Sequence, residues 1–413
     1  MRPINNLGIC ANALEWVDYS LYGAFSSVMA PLFFPSSSAL ASQLAAFGVF
    51  ALGFIARPLG GVFFGHIGDK IGRSKALFLS IALMAIPTTC IGLLPTYAQV
   101  GMLAPALLTL LRTLQGLSMG GEFTGSMVSL VENAPVERRG RNGSWADVGC
   151  LLGTLVGGQL IVALLSAILG EQAYQTWGWR LPFLLSIGLL YIGMRLRKEQ
   201  EGTPPKKKSA KMPIVEVVTR HRGVVLWTMC VIAFSGVSFY SLLVFLPNYL
   251  VLSGHVSPTW SFCMTGATNA CMIPVTLLAG HLTDVFRKRK TFLQVGITGV
   301  LLTVYPMTAA LHAGALGWYG VLHLLSGLCL SLYFGGRTAF FAEAFPAHVR
   351  YTAVSFAFGV AQAIAGGTTP FLATYLIEQV GDVRILSVQF AVAALLALVA
   401  LSKMPDRTMQ PLE

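Results

Sequence analysis

Gly65-His66-Ile67-Gly68-Asp69-Lys70-Ile71-Gly72-Arg73-Ser74-Lys75 joins two apolar stretches, 43–66 and 76–95, and its reading decides the fold. Each flanking stretch is long enough to cross a hydrocarbon core, which takes roughly 20 helical residues. The turn between them is too short for a domain and too charged for lipid. The pair therefore reads as two membrane helices joined on one side of a bilayer. The arrangement recurs: Gly280-His281-Leu282-Thr283-Asp284 follows the same pattern at the end of the stretch 260–282, and Arg287, Lys288, Arg289 and Lys290 precede the stretch 291–311.

Working outward, 55% of the 413 residues are hydrophobic and only 11% are charged. Soluble domains carry roughly 25% charged residues. Apolar stretches of span length lie near 9–31, 43–66, 76–95, 104–131, 145–168 and 181–195. A second set lies near 223–247, 260–282, 291–311, 318–342, 352–375 and 383–402. Basic residues gather in the loops on one side: Lys70, Arg73 and Lys75; Arg138, Arg139 and Arg141; Arg195 to Lys211; Arg287 to Lys290. The loops around 35–42, 95–99 and 253–258 carry no Lys or Arg. This positive-inside pattern places the basic loops and both termini in the cytoplasm of a bacterial-type inner membrane. It also explains the net charge of +11 without nucleic acid, since no aromatic residues interleave with the basic clusters. Anionic lipid is the expected neighbour of those loops. Glu15 and Asp18 interrupt the first apolar run, so it does not read as a cleavable signal.

The two halves repeat each other. Glu132-Asn133-Ala134-Pro135 followed by Arg139, and Glu343-Ala344-Phe345-Pro346 followed by Arg350, both read E-x-x-P-x-x-x-R, offset by 211 residues. A duplicated six-helix unit is a common plan for secondary transporters. The expected fold is an all-α membrane protein of twelve transmembrane helices in two pseudo-symmetric six-helix bundles. The expected divisions are a first bundle at 1–198, a cytoplasmic linker at 199–222 containing Pro204, Pro205 and Lys206 to Lys208, and a second bundle at 223–413.

Gly65 to Lys75 resembles the signature loop of the major facilitator superfamily. Further stretches resemble one branch, the metabolite:H⁺ symporters: Asn12 to Tyr19 with Tyr22-Gly23, Arg57-Pro58-Leu59-Gly60-Gly61, Gln115-Gly116, and Gly120 to Gly125. Trp179 to Phe183, Leu246 to Leu250, Glu343 to Tyr351 and Gly366 to Pro370 extend the likeness over nearly the whole chain. Within that branch, 65–204 is most similar to proline/glycine-betaine transporters, while other members carry citrate, 2-oxoglutarate, shikimate or related organic acids. The resemblance implies proton-coupled import of a small zwitterion or organic acid by alternating access. An exporter of a drug or siderophore-like compound, run by proton antiport on the same fold, is the alternative. The shared loop does not separate the two, but the metabolite-symporter stretches favour import.

The residues also speak without the family. A charge near a helix centre in a membrane costs at least about 2.5–3.5 kcal/mol, so its retention points to function. Glu15 and Asp18 stand three residues apart on one helix face. Asp18 lies roughly 14 Å in from the end of its span, and Arg57 and Glu122 reach a similar depth. These four form the expected proton-coupling cluster, with Arg57 neutralising one carboxylate and another carrying the proton. A static ion-pair network fixing helix packing is the competing reading. Arg112-x-x-Gln115-Gly116 resembles the superfamily's fourth-helix motif linked to proton coupling. Arg112 can anchor a substrate carboxylate, join a proton pathway, or simply snorkel toward the interface.

Aromatic residues supply the other half of a zwitterion site. Trp16, Tyr19 and Tyr22 lie on the first span, Trp145 on the fifth, and Phe239 and Tyr240 on the seventh. Ring faces would attract an ammonium by about 0.5–2 kcal/mol, although membrane aromatics also serve as packing and interface residues. In the loops, the resemblance implies that Asp69 caps a helix of the opposite bundle and that Arg73 pairs with Glu132. By symmetry Asp284, Arg287 and Glu343 would form a second conformational latch. Plain topogenic charge is the competing account of both loops. Neither the seven cysteines nor the histidines have metal-ligand spacing, and no catalytic triad or nucleotide loop is present. The expectation is a non-enzyme without metal or cofactor, driven by a proton gradient. Its expected partners are substrate, protons and membrane lipids, with no nucleic acid and no obligate protein partner.

Overall fold

The computed structural model describes residues 6–71, 73–118, 122–198, 213–254 and 256–412. Within these, the side chains of 6–11, 61–62, 64–71, 73–78, 81, 122, 189–190, 192–198 and 213 also fall outside the description. Among the described residues every regular element is helical. The rods are α1 (Asn6–Ala24, continued by Ser26–Phe33), α2 (Ala39–Ile71), α3 (Arg73–Leu93), α4 (Leu103–Ser118, then Glu122–Glu132), α5 (Arg139–Thr154, Leu155–Leu160, Ile161–Ala173) and α6 (Arg180–Lys198). The second set is α7 (Arg222–Tyr240, Ser241–Phe245, Leu246–Leu252), α8 (Pro258–Val285), α9 (Arg289–His312), α10 (Leu316–Glu343), α11 (Ala347–Ala361, Gln362–Gly366, Thr369–Val380) and α12 (Leu386–Lys403). Among the described residues, eight of the rods are long and apolar enough to cross a membrane. Inside the stretch expected as linker, Pro213–Arg220 forms a short helix; residues 199–212 lie outside the described residues.

Hydrophobic side chains face outward as well as inward, as lipid permits. On α2, Leu52, Ile55, Leu59 and Phe63 recur every three or four residues and are all exposed, forming one lipid-facing stripe. Inside, α5 packs against α1, α8 and α10, and α2 packs against α4 and α11. The contacts of α5 with α8 and α10, α4 with α10 and α11, and α2 with α11 all run between the two halves. The α5–α8 approach depends on two glycines. A Cβ on Gly140 would lie 2.5 Å from the Gly280 carbonyl, and one on Gly280 would lie 2.8 Å from the Gly140 carbonyl. Absence of side chains is what lets backbones come this close in a membrane.

Among the described residues, π turns interrupt α5 at Leu155–Leu160, α7 at Ser241–Phe245 and α11 at Gln362–Gly366, and a fourth, Tyr174–Gly178, follows the end of α5. A π turn inserts one residue into the helical ladder and redirects side chains, and such turns are frequent at functional sites.

Candidate functional site

Aromatic rings from both halves meet at the centre. Tyr19 of α1 packs on Phe54 and Phe50 of α2, with centroids 5.1 and 5.6 Å away. The same two phenylalanines pack on Tyr240 of α7 at 5.1 and 5.8 Å. Trp16 lies 5.6 Å from Phe239 of α7 and 5.8 Å from Phe123 of α4. All these rings are buried. Two guanidinium groups sit on them. Arg57 lies 4.0 Å from the Phe54 centroid and 4.4 Å from that of Tyr19, and Arg112 lies 4.4 Å from Tyr22 and 4.9 Å from Tyr19.

Several polar atoms here are buried without a hydrogen-bond partner: the hydroxyls of Tyr19 and Tyr240, the indole nitrogen of Trp16, and Nε and Nη2 of Arg112. Buried polar groups are rarely left so, and most of these are donors, which suits an anionic group. Tyr22 and Trp145 complete the expected lining residues. The Tyr22 hydroxyl donates to the Ala46 carbonyl at 2.9 Å and ties α1 to α2. Trp145 makes no ring contact with the cluster among the described residues, though its indole nitrogen is also buried without a partner.

Of the expected quartet of Glu15, Asp18, Arg57 and Glu122, the first three are buried. Asp18 Oδ2 accepts from the Thr88 hydroxyl of α3 at 2.7 Å. Gln115 of α4 donates from Nε2 to that same hydroxyl oxygen, and its Oε1 accepts from Arg112 Nη1 at 2.7 Å. A buried chain thus runs from Asp18 through Thr88 and Gln115 to Arg112, wholly within the first half. Arg57 faces the rings. Glu15 is buried on α1. The Glu122 side chain lies outside the described residues. The role of Thr88 was not legible in the sequence, because a lone threonine in an apolar run is unremarked; Gln115 was visible only as part of the Arg112 motif.

Toward the end bearing Arg138 to Arg141 and Arg287 to Lys290, hereafter the basic end, charges bridge the halves in two layers. In the inner layer Asp147 of α5 binds Arg337 of α10, whose Nε donates to Oδ1 at 2.9 Å and whose Nη2 reaches the same oxygen. The Thr338 hydroxyl donates to Asp147 Oδ2 at 2.9 Å. In the outer layer Glu343 holds Arg289 at 2.9 Å and Arg139 at 3.4 Å. Asp284 accepts from the backbone N–H groups of Gly140 and Arg141, both at 2.8 Å, and pairs with Arg289 at 3.2 Å. It thereby caps the N-terminus of α5 from the opposite half, where the helix dipole favours a carboxylate. Arg350 Nη1 donates to Glu132 Oε1 at 2.9 Å. Each arginine of the E-x-x-P-x-x-x-R repeat therefore crosses to the glutamate of the other copy.

One placement differs from the sequence expectation, and one buried pair was not anticipated by it. Arg289, not Arg287, reaches Asp284 and Glu343; Arg287 is exposed, in a turn with a φ of 56°. Asp147 and Arg337 were missed, although both fall inside apolar spans and the rule that selected Arg57 applies to them equally. The side chains of Asp69 and Arg73 lie outside the described residues.

The other end is closed as well. Asn248 of α7 donates from Nδ2 to the Gly23 carbonyl of α1 at 2.9 Å and accepts from the Ser27 N–H at 3.2 Å. Ser166 of α5 and Thr259 of α8 share a hydrogen bond of 2.9 Å. Ring cluster and guanidinium groups therefore occupy an occluded centre between two closed ends.

A duplicated helical bundle with a polar centre and separately latched ends defines a membrane carrier. Residues 9–370 match the profile of the Major Facilitator Superfamily, and the chain belongs to that family. Over its full length it is 34% identical to the glycine betaine/proline/ectoine/pipecolic acid transporter OusA of Dickeya dadantii, covering 85% of that protein. It is 33% identical over 97% of its length to the proline/betaine transporter of Salmonella typhimurium, covering 83% of it. Among solved structures, a D-xylose-proton symporter superposes with a TM-score of 0.76 over 99% of both chains at 17% identity, a likeness of fold. The chain is a multi-pass membrane protein and a secondary transporter of small solutes, not an enzyme.

Proposed function

We propose that this protein is a proton-coupled symporter that imports a small zwitterion, of the kind named for its proline/betaine relatives, by alternating access. One observation carries the reading: Arg57 and Arg112 rest on the very ring faces that an ammonium would use. A zwitterion supplies both ends of an exchange. Its carboxylate draws a guanidinium into a charge-assisted bond, and its ammonium takes the vacated ring face, where the attraction is worth about 0.5–2 kcal/mol. An organic acid without an ammonium would use the arginines and leave the rings idle.

Asp18 is the proposed proton carrier. It shares the hydrogen-bond chain of Thr88, Gln115 and Arg112, so a shift of Arg112 toward substrate alters the donors that reach the carboxylate. A buried carboxylate that loses its donors favours the protonated form. Glu15, Arg57 and Glu122 supply the remaining charge at that depth. The two bundles, 1–198 and 223–413, would then rock about the centre, with the Asp284–Arg289–Glu343–Arg139 and Glu132–Arg350 contacts parting on inward opening. Asp69 and Arg73 would complete the latch. In this reading the basic end and both termini face the cytoplasm of a bacterial inner membrane, beside anionic lipid.

The test is uptake by purified protein in liposomes with an acid-outside gradient, using labelled proline, glycine betaine, citrate, 2-oxoglutarate and shikimate. Gradient-driven accumulation of a zwitterion, abolished by a protonophore and made insensitive to pH by Asp18→Asn, is the expected result. Accumulation of an organic acid alone, or no accumulation by folded protein, overturns the reading.

A further inference from the structure

Gln362 opens the π turn of α11 and is buried, with 5% of its surface exposed. Its side-chain carbonyl, Oε1, is buried without a hydrogen-bond partner. The turn is shaped around this group. A Cβ on Gly366 would collide with Oε1 and come within 3.0 Å of Tyr240 Cε2, so the amide carbonyl lies beside the edge of the Tyr240 ring. One residue on, Gly367 rests on Phe54, whose ring a Cβ would meet at 2.5 Å. Tyr240 and Phe54 pack on each other within the central ring cluster, beside Arg57.

The chemistry of the unpartnered groups is asymmetric. The Trp16 indole and the Arg112 guanidinium can only donate, and the tyrosine hydroxyls can do either. An amide oxygen can only accept, so any ligand atom that satisfies Gln362 must carry a hydrogen. We propose that Gln362 is a specificity-determining residue that accepts a hydrogen bond from the N–H of the substrate's ammonium group. A secondary ammonium, as in proline or pipecolic acid, has such hydrogens. A trimethylammonium, as in glycine betaine, has none and leaves the carbonyl unsatisfied. This assignment rests on the zwitterion reading above.

The experiment compares uptake of labelled proline and labelled glycine betaine by the wild type, Gln362→Met and Gln362→Glu in liposomes. Loss of a hydrogen bond to a charged donor should raise the KM for proline by about 10- to 100-fold in Gln362→Met. The KM for glycine betaine should stay within about twofold, since no bond to it is removed. Gln362→Glu keeps an acceptor and should retain proline uptake. Undiminished proline uptake by Gln362→Met overturns the proposal, as does an equal loss of both substrates in both variants, which marks a structural role. If Gln362→Met alone loses both substrates, preferential proline uptake by Gln362→Glu supports the proposal and equal uptake of the two overturns it. Wild-type protein that carries neither substrate refutes the zwitterion reading itself, and this assignment falls with it.

Discussion

Replacing Glu343 by Gln should pull the basic end of the protein open. Glu343 sits between Arg289 and Arg139, with the Arg289 side chain fully buried and that of Arg139 nearly so. Removing one partner of a buried ion pair costs about 3–5 kcal/mol, because the remaining charge is stranded. Gln preserves shape and one acceptor oxygen. Asp284 remains beside Arg289 at 3.2 Å, and Arg139 keeps the Gln410 carbonyl at 2.7 Å. About half the full penalty, roughly 2 kcal/mol, therefore falls on the closed arrangement. In the open arrangement water hydrates these groups and the loss is small. At about 1.4 kcal/mol per tenfold, the balance moves about 30-fold toward opening. Spin labels at the exposed positions Glu137 and Lys288, on opposite halves, would report this by electron–electron distance measurement in a background with the native cysteines replaced. A long-distance population should appear or grow in Glu343→Gln. A distribution superimposable on that of the parent would refute the reasoning and reduce these ion pairs to bystanders.

Three further outcomes are expected. Gly140→Ala places a methyl 2.5 Å from the Gly280 carbonyl and 2.8 Å from Asp284 Oδ1; forcing α5 and α8 apart should cost about 1–3 kcal/mol and lower both thermal stability and uptake, whereas Gly188→Ala, with nothing within 4 Å, should change neither. Thr88→Val removes the hydroxyl between Asp18 and Gln115. It should flatten the pH dependence of uptake while leaving substrate affinity within a few-fold, and Thr88→Ser should restore the dependence; a full pH profile in Thr88→Val would show that the chain is not the coupling route. Asp382 lies between α11 and α12, and hydrogen bonds from Arg384 hold its carboxyl down to about 2. It is ionised above that value, and its contact with Arg384 is lost only as pH falls through about 2. Asp382 Oδ1 also lies 3.2 Å from His312 Nδ1, so in a His312→Gln background Asp382→Asn should leave the uptake profile between about pH 5 and 8 unmoved, and a shifted midpoint would contradict that assignment.

Much of this protein was legible in the chain because the deciding quantities are local. Apolar length sets whether a segment spans a bilayer, and Gly65 to Lys75 with its echo at Gly280 to Lys290 revealed both the hairpin and its duplication. The cost of an intramembrane charge marked Glu15, Asp18, Arg57 and Arg112, and all four are buried in the interior. The aromatic residues of the first and seventh spans do meet: Trp16 with Phe239, and Tyr19 with Tyr240 through Phe50 and Phe54.

Partners were another matter. Sequence spacing gives a residue's height on its helix, but not which neighbouring helix its side chain faces, because that depends on the rotation and register of packed rods. Asp18 was marked by its charge alone, yet its bond runs to Thr88 of α3, which its spacing did not reveal. A single residue separates Arg287 from Arg289, but only the second is buried against Asp284 and Glu343. The repeat showed that Glu132 and Arg139 recur as Glu343 and Arg350; it did not show that each arginine serves the other copy's glutamate. The sequence by itself determined the helices, the duplication and the inventory of expensive charges, since these follow from transfer free energy along the chain. Only the tertiary structure decided the Asp18 chain, the Asp147–Arg337 bridge and the solitary carbonyl of Gln362, since these follow from how the helices are turned against one another.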